Sequence, residues 1–399
     1  MKTIYLNIIF LLLCQFLAAQ DIVLMKANYL LENQNYNEAI TQLSEEILQN
    51  NTTPELFLLR GEAFLQNGDF QNAIANFKEV NKLKLNYGNY GLAKTYSALN
   101  ELDVACNYLK KHLESKYKYS EEIIRKEPFF ENLKNSEYWV TFNISEYYNV
   151  YENSISDILF LIENENYEEA FTLVNQALAT SNNRHEIWAL QGFLFIQEKN
   201  NISAIKSYNK AIEICSNNSN YFYIRAKLYY AQNQLEQSLS DINSAIKFSP
   251  NELKYYQLRL NIALKINNTE TSKTDMELIS SVVGNNAEND FLQGKIAEND
   301  GNYLLAMRYY SSAIEADPSQ CEYFEARANV YAATNNKLFA INDLAQALDL
   351  NPQNAENFYQ RAMLRIDIND ITGACSDLKR ASRNGVNEAA ILIEKYCNE

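Results

Sequence analysis

The chain has 399 residues, 47% of them hydrophobic and 21% charged, so it can bury a core and is not disordered by composition. Only 10 Gly, 5 Pro and 2 His occur, which excludes His-rich metal sites and disfavours an α/β enzyme with glycine-rich phosphate loops. Against 50 Asp and Glu stand 35 Lys and Arg; a net charge of −15 argues against nucleic acid as a partner.

The first residues read as a secretory signal. Met1-Lys2 gives a positive start, Ile4 to Leu13 is apolar apart from Asn7, and Leu17-Ala18-Ala19-Gln20 offers small residues for cleavage. The run is short for a bilayer span and Asp21 follows at once. Residues 1–20 are therefore expected to be removed, leaving a soluble exported chain with no integral membrane span. The Asn, Ile, Lys and Tyr usage points to a bacterial periplasm or cell envelope.

Small residues then recur with a fixed period. Ala39 and Ala73 are 34 apart, and one frame runs from Ala170 through Ala204, Ser238, Ser272, Ala306 and Ala340 to Ala374. Ala105 belongs to the same series. Four residues after most of them stands a larger apolar residue, as Phe77, Tyr208, Tyr310 and Leu344. Twelve before lies a second small residue, as Gly61, Gly192, Ala226, Gly294, Ala328 and Ala362. Pro250, Pro318 and Pro352 sit twelve after. An aromatic precedes the second small residue by four at Phe57, Trp188, Phe222, Phe324 and Phe358.

These residues resemble the tetratricopeptide repeat, and the likeness covers nearly all of residues 22–397. The resemblance implies an all-α, right-handed superhelical solenoid of about ten helix-turn-helix repeats in two arrays. Elementary packing agrees. A helix with apolar residues at spacings of 3 and 4 must bury that face, and one hairpin cannot bury its own, so hairpins stack.

The pattern divides the chain into a signal (1–20), an N-terminal array of about three repeats (21–117), a degenerate capping or dividing segment (118–146), and a C-terminal array of about seven repeats with a capping helix (147–399). The dividing segment holds Glu127-Pro128-Phe129-Phe130 and Tyr138-Trp139, and its period fails. Within the second array Arg225, Arg259, Arg327 and Arg361 each precede an acid by 16 residues: Asp241, Asp275, Asp343 and Asp377. The constant offset predicts ion pairs between the two helices of a repeat. Cys375 and Cys397 fall in the last repeat and its cap, where an exported chain can bridge them.

No metal, nucleotide or hydrolase motif occurs, and neither His112 nor His185 has a catalytic setting. No cofactor and no enzymatic activity are expected. In the tetratricopeptide family the first helices line a concave groove. By that resemblance the centre of the groove is Lys227, Asn261, Lys295 and Asn329, flanked by Tyr223, Tyr230, Gln257, Lys265, Phe291, Glu325 and Tyr359. The implied function is an exported, non-catalytic scaffold binding a protein or peptide segment. A glycan-binding or enzyme-associated envelope module is an alternative, with Tyr223, Phe291 and Tyr359 stacking on sugar rings. A cytosolic co-chaperone-like adaptor is another, if the signal is uncut.

Overall fold

The structure, a computed structural model, describes residues 20–180 and 182–397; the expected signal lies outside them but for Gln20. Among the described residues every regular element is helical. A helix over 20–32 pairs with Tyr36–Gln49, and Pro54–Gln66 pairs with Phe70–Leu83. Asn89–Ala98 pairs with Leu102–Leu113. Seven further pairs run from Val150–Glu163 with Tyr167–Thr180 to Ala355–Asp367 with Ile371–Arg383. By compactness the chain divides into two units, one ending at Tyr255 and the other beginning at Tyr256.

One turn is used throughout. In each repeat the residue five before the small reference residue has positive φ: Asn at 100, 233, 267, 335 and 369, Gly at 68 and 301, and Gln34, Glu165 and Lys199 elsewhere. Asn and Gly tolerate this left-handed conformation best, which accounts for their use at seven of the ten turns. The next residue caps the second helix. Asp69, Asn200, Asn268, Asn302 and Asp370 each accept a hydrogen bond from the backbone three residues on.

The small reference residues mark where the two helices cross. Ala39, Ala73, Ala105, Ala170, Ala204, Ser238, Ala306, Ala340 and Ala374 are fully buried, and so are most residues four later, among them Leu43, Phe77, Leu109 and Tyr310. Burial of this stripe supplies the main favourable term for each hairpin.

A polar row runs beside the apolar one. Arg225 donates two hydrogen bonds to Asp241, both at 2.7 Å, and a third to Asn209 at 2.6 Å. Arg327 does the same with Asp343 at 2.8 Å and with Ser311 at 2.9 Å. Arg259 with Asp275, and Arg361 with Asp377, form the same two-pronged pair. The acid lies on the second helix of the same repeat, and the third partner lies 16 residues back, on the second helix of the preceding repeat. The arginine therefore ties two repeats as well as two helices. Arg60 fills the role in the first array, bonding Asn76 and Ser44.

Between the third and fourth pairs the chain forms short helices, Glu121–Lys126, Glu131–Lys134 and Glu137–Thr141, with 3-10 turns at Pro128–Phe130 and Ile144–Tyr147. Their buried Ile124, Phe130, Leu133 and Ile144 join Ala93, Leu109 and Leu113 of the third repeat in one core. At the other end the helix Asn387–Tyr396 covers Phe358, Leu378 and Ala381, and a disulfide joins Cys375 to Cys397 with Cα atoms 5.7 Å apart.

Candidate functional site

The helical period sets which side of each first helix faces outward. Lys227, Asn261, Lys295 and Asn329 are all exposed, while the residues immediately before and after each are buried: Ala226 and Leu228, Leu260 and Ile262, Gly294 and Ile296, Ala328 and Val330. Lys227 belongs to the first compact unit, and Asn261, Lys295 and Asn329 to the second.

The flanking residues serve a different purpose from the one their exposure in the frame implies. In the first unit Tyr223 packs on Tyr255 of the next repeat with ring centroids 5.0 Å apart. In the second, Phe291 packs on Tyr323 at 4.8 Å. At the same register Glu325 accepts hydrogen bonds from Asn357 at 2.5 Å and Asn354 at 2.9 Å. Successive first helices are thus joined by ring–ring contacts twice and by carboxylate–amide bonds once. One face of Tyr223 and of Phe291, and one oxygen of Glu325, are engaged inside the array.

Lysines attend the rings. The ammonium groups of Lys227 and Lys254 lie 5.7 and 5.8 Å from the Tyr223 ring, and that of Lys295 lies 4.4 Å from Phe291. Desolvation pulls the Lys295 pKa below its usual value, against the opposing pull of Glu298 and Glu322. Burial raises the Tyr223 phenol, and Lys254 offsets part of the effect.

Asn329 and Tyr359 come together. They line a cavity of about 230 Å³ with Gln360 and Met363, over Ala332 and Leu364. The walls are mainly apolar, with two amides at the edge. Such a pocket fits one aliphatic side chain whose backbone can bond the amides. Gln257, Asn261 and Lys265 are exposed along Leu253–Lys265, and Tyr230 is half-buried near the end of Ser219–Ala231.

The equivalent row in the first array carries Glu62 and Lys94. Lys94 is buried and bonds both oxygens of Glu62 at 2.8 and 2.7 Å, with the ring of Phe129 5.7 Å away. The row is self-neutralised there. Opposite charges at one frame position in adjacent repeats were the signal for it.

His112 is buried and accepts a hydrogen bond from the Tyr119 backbone, and His185 lies 2.9 Å from the Tyr221 hydroxyl. Among the described residues no group of three or more His, Cys, Asp or Glu is placed to hold a metal ion. Nor is any helix among them long and apolar enough to cross a membrane.

Comparison with known proteins agrees with the repeat architecture. Tetratricopeptide-repeat sequence profiles match residues 24–81, 185–218 and 291–320. No protein of curated function matches the sequence. Among solved structures, a tetratricopeptide repeat protein from Parabacteroides merdae is similar with a TM-score of 0.52 at 18% identity, over 62% of this chain and 99% of that one. The Cut9–Hcn1 assembly of the APC/C is similar with a TM-score of 0.45 at 14% identity, over 93% of this chain and 89% of that one. YrrB, described as a tetratricopeptide protein with an unusual peptide-binding site, is similar with a TM-score of 0.35 at 18% identity, over 48% of this chain and 99% of that one. At these identities the likeness is one of fold.

Proposed function

We propose that this chain, which belongs to the tetratricopeptide-repeat proteins, is a non-catalytic scaffold that holds an extended protein or peptide segment against the first helices of its second unit. The fold is one used for protein–protein contact. The observation that carries the narrower reading is the cavity beside Asn329 and Tyr359, with Lys295 and Asn261 exposed at the equivalent positions of the two preceding repeats. An aliphatic side chain fills the cavity, the amides of Asn329 and Gln360 bond its backbone, and Lys295 receives a carboxylate or carbonyl oxygen. A glycan fits less well, because Tyr223 and Phe291 already have ring partners in the neighbouring repeat.

Two features support export to a bacterial periplasm or envelope. Residues 1–20 have the layout of a cleavable signal, and the Cys375–Cys397 bridge is chemistry that persists in oxidising compartments. N-terminal sequencing of the mature protein tests this; a chain beginning at Met1 would refute it.

The binding reading is tested by in-cell crosslinking with mass spectrometry, comparing wild type with Lys295→Glu/Asn329→Ala/Tyr359→Ala after circular dichroism shows equal helicity. A partner crosslinked through this face and lost in the variant supports it. A partner retained equally by both moves the site elsewhere.

A further inference from the structure

Sixteen residues before the small reference residue, most repeats carry an aromatic: Phe57, Trp188, Phe222, Tyr256, Phe324 and Phe358. The ring packs on the second helix of its own repeat, as Phe222 does on Phe248 with centroids 5.7 Å apart. It also shares a core with the second helix before it, Phe57 with Leu43 and Ile47, and Phe358 with Leu348. The repeat centred on Ala170 lacks all of these. Ser154 stands where the aromatic belongs, and Thr180 stands in the place of Phe248. The short helices of the dividing segment precede it, with no second helix of a full repeat. Val150, at the start of its first helix, is left 88% exposed.

The missing ring and the missing helix leave a cavity of about 550 Å³ between Val150–Glu163 and Tyr167–Thr180. Its walls are mainly apolar, with Ile158, Leu173, Ala177 and Ile187 among them. The Ser154 hydroxyl is satisfied by the Tyr151 carbonyl at 2.7 Å. Arg184 lines the same cavity, is exposed, and lies over the Tyr151 ring, 4.3 Å from its centroid. The guanidinium has no hydrogen bond or ion pair among the described residues. Glu186 is engaged elsewhere: it accepts from the Tyr151 hydroxyl at 2.8 Å and lines a separate cavity. Asp157, the acid that lines this one, stands six residues beyond Tyr151 on the same helix, about 9 Å along its axis. The Tyr151 end of the cavity is therefore basic, in a chain that is acidic as a whole.

We propose that this cavity binds a small aromatic carboxylate. The ring takes the place that Phe or Trp holds in other repeats, against Ala177 and Ile187. The carboxylate accepts two hydrogen bonds from the Arg184 guanidinium, which stacking on Tyr151 holds in place. The volume suits a small-molecule site. The cavity belongs to the first compact unit, so the inference does not rest on the peptide site proposed for the second.

The experiment uses the whole chain and three probes of one shape, phenylacetate, 2-phenylethanol and phenethylamine, titrated by ligand-observed NMR. Phenylacetate should bind saturably at one site, with phenethylamine weaker by at least about tenfold. Ser154→Phe, which restores the residue of the other repeats, should abolish binding in a chain that still folds. Arg184→Gln should weaken phenylacetate by about tenfold at unchanged Tm. Absence of saturable phenylacetate binding overturns the proposal, as does phenethylamine binding as tightly. So does a folded Ser154→Phe variant that still binds. If Ser154→Phe does not fold, Arg184→Gln decides: an unchanged affinity for phenylacetate overturns the site.

Discussion

The ring of Tyr310 lies flat against the backbone of Gly294, so that a Cβ added to the glycine would meet Tyr310 Cε1 at 2.4 Å. Gly192 stands in the same relation to Tyr208 at 2.7 Å, and Gly61 to Phe77 at 2.8 Å. Where the residue on the second helix is Leu or Ile, its partner on the first helix is Ala, as in Ala226 with Ile242, Ala328 with Leu344 and Ala362 with Leu378. The two positions exchange volume at the helix crossing. Gly294→Ala should therefore lower the stability of the second unit by about 2 kcal/mol. Gly294→Ala combined with Tyr310→Leu, which rebuilds the commoner pair, should recover at least half of the loss. Urea unfolding of the three variants measures this; additive losses in the double variant would refute the exchange.

Much of this was legible in the sequence because a repeat prints its packing many times. The reference alanines, the glycines twelve before them and the Arg–Asp offset are all periodic, and periodic residues in a stacked array are mostly packing residues. Less legible was anything that depends on the next repeat. Tyr223 and Phe291 read as groove aromatics, yet each packs at a tilt against a ring 32 positions later, Tyr255 and Tyr323. Glu325 reads as an open carboxylate and is held by Asn354 and Asn357. The third bonds of Arg225, to Asn209, and of Arg327, to Ser311, also reach across repeats. Sequence spacing fixes the side of a helix a residue occupies, but which outward residue meets a neighbour depends on how the hairpins lean on each other.

Arg327 shows how the polar row holds adjacent repeats. Its guanidinium bonds Asp343 twice and Ser311 once, and Asp343 is buried. The hydrogen bond and charge of Asp343 hold the Arg327 pKa above its ordinary value despite the burial that works against it. Asp343→Leu leaves a partly buried cation without its counter-ion and should lower stability by about 3 kcal/mol. Arg327→Met/Asp343→Leu removes both charges and should recover most of that. Ser311→Ala deletes only the bond to the preceding repeat and should lower stability by about 1 kcal/mol. Chemical denaturation separates these; a double variant as unstable as the single would mean that the pair itself, not its unpaired remnant, carries the energy.

The common turn makes a prediction of opposite sign. Lys199 has φ of 58°, at the position where Gly68 and Gly301 stand in other repeats. A lysine side chain is strained in this left-handed conformation, and glycine is not. Lys199→Gly should raise stability by about 0.5–1 kcal/mol, the relief of strain outweighing the added freedom of the unfolded chain. Asn335→Ala, at φ of 61°, should lower it by about 1 kcal/mol. Thermal unfolding of both reports the result, and a loss of stability in Lys199→Gly would show that its side chain has a role beyond the turn.

His112 gives the protein a pH dependence of defined sign. Its ring packs against those of Tyr90 and Tyr119, with centroids 5.0 Å from each and the two tyrosines 4.7 Å from one another, and its Nε2 accepts from the Tyr119 backbone at 3.1 Å. Nε2 is therefore unprotonated, the proton sits on Nδ1, and Nδ1 is buried with no partner. A second proton would place a charge where nothing compensates it, and burial lowers the pKa from 6.5 to about 4. The folded chain consequently binds fewer protons than the unfolded chain between those values. The contribution is complete above pH 6.5 and is lost progressively as pH falls toward 4, up to about 3 kcal/mol. His112→Gln keeps an acceptor for the Tyr119 amide and removes the titration. Urea unfolding at stepped pH between 7 and 4, followed in the region packed against Tyr119, should show a slope in wild type that flattens in the variant. An equal slope in both would assign the acid sensitivity to carboxylates, whose protonation acts in the same direction but begins at lower pH.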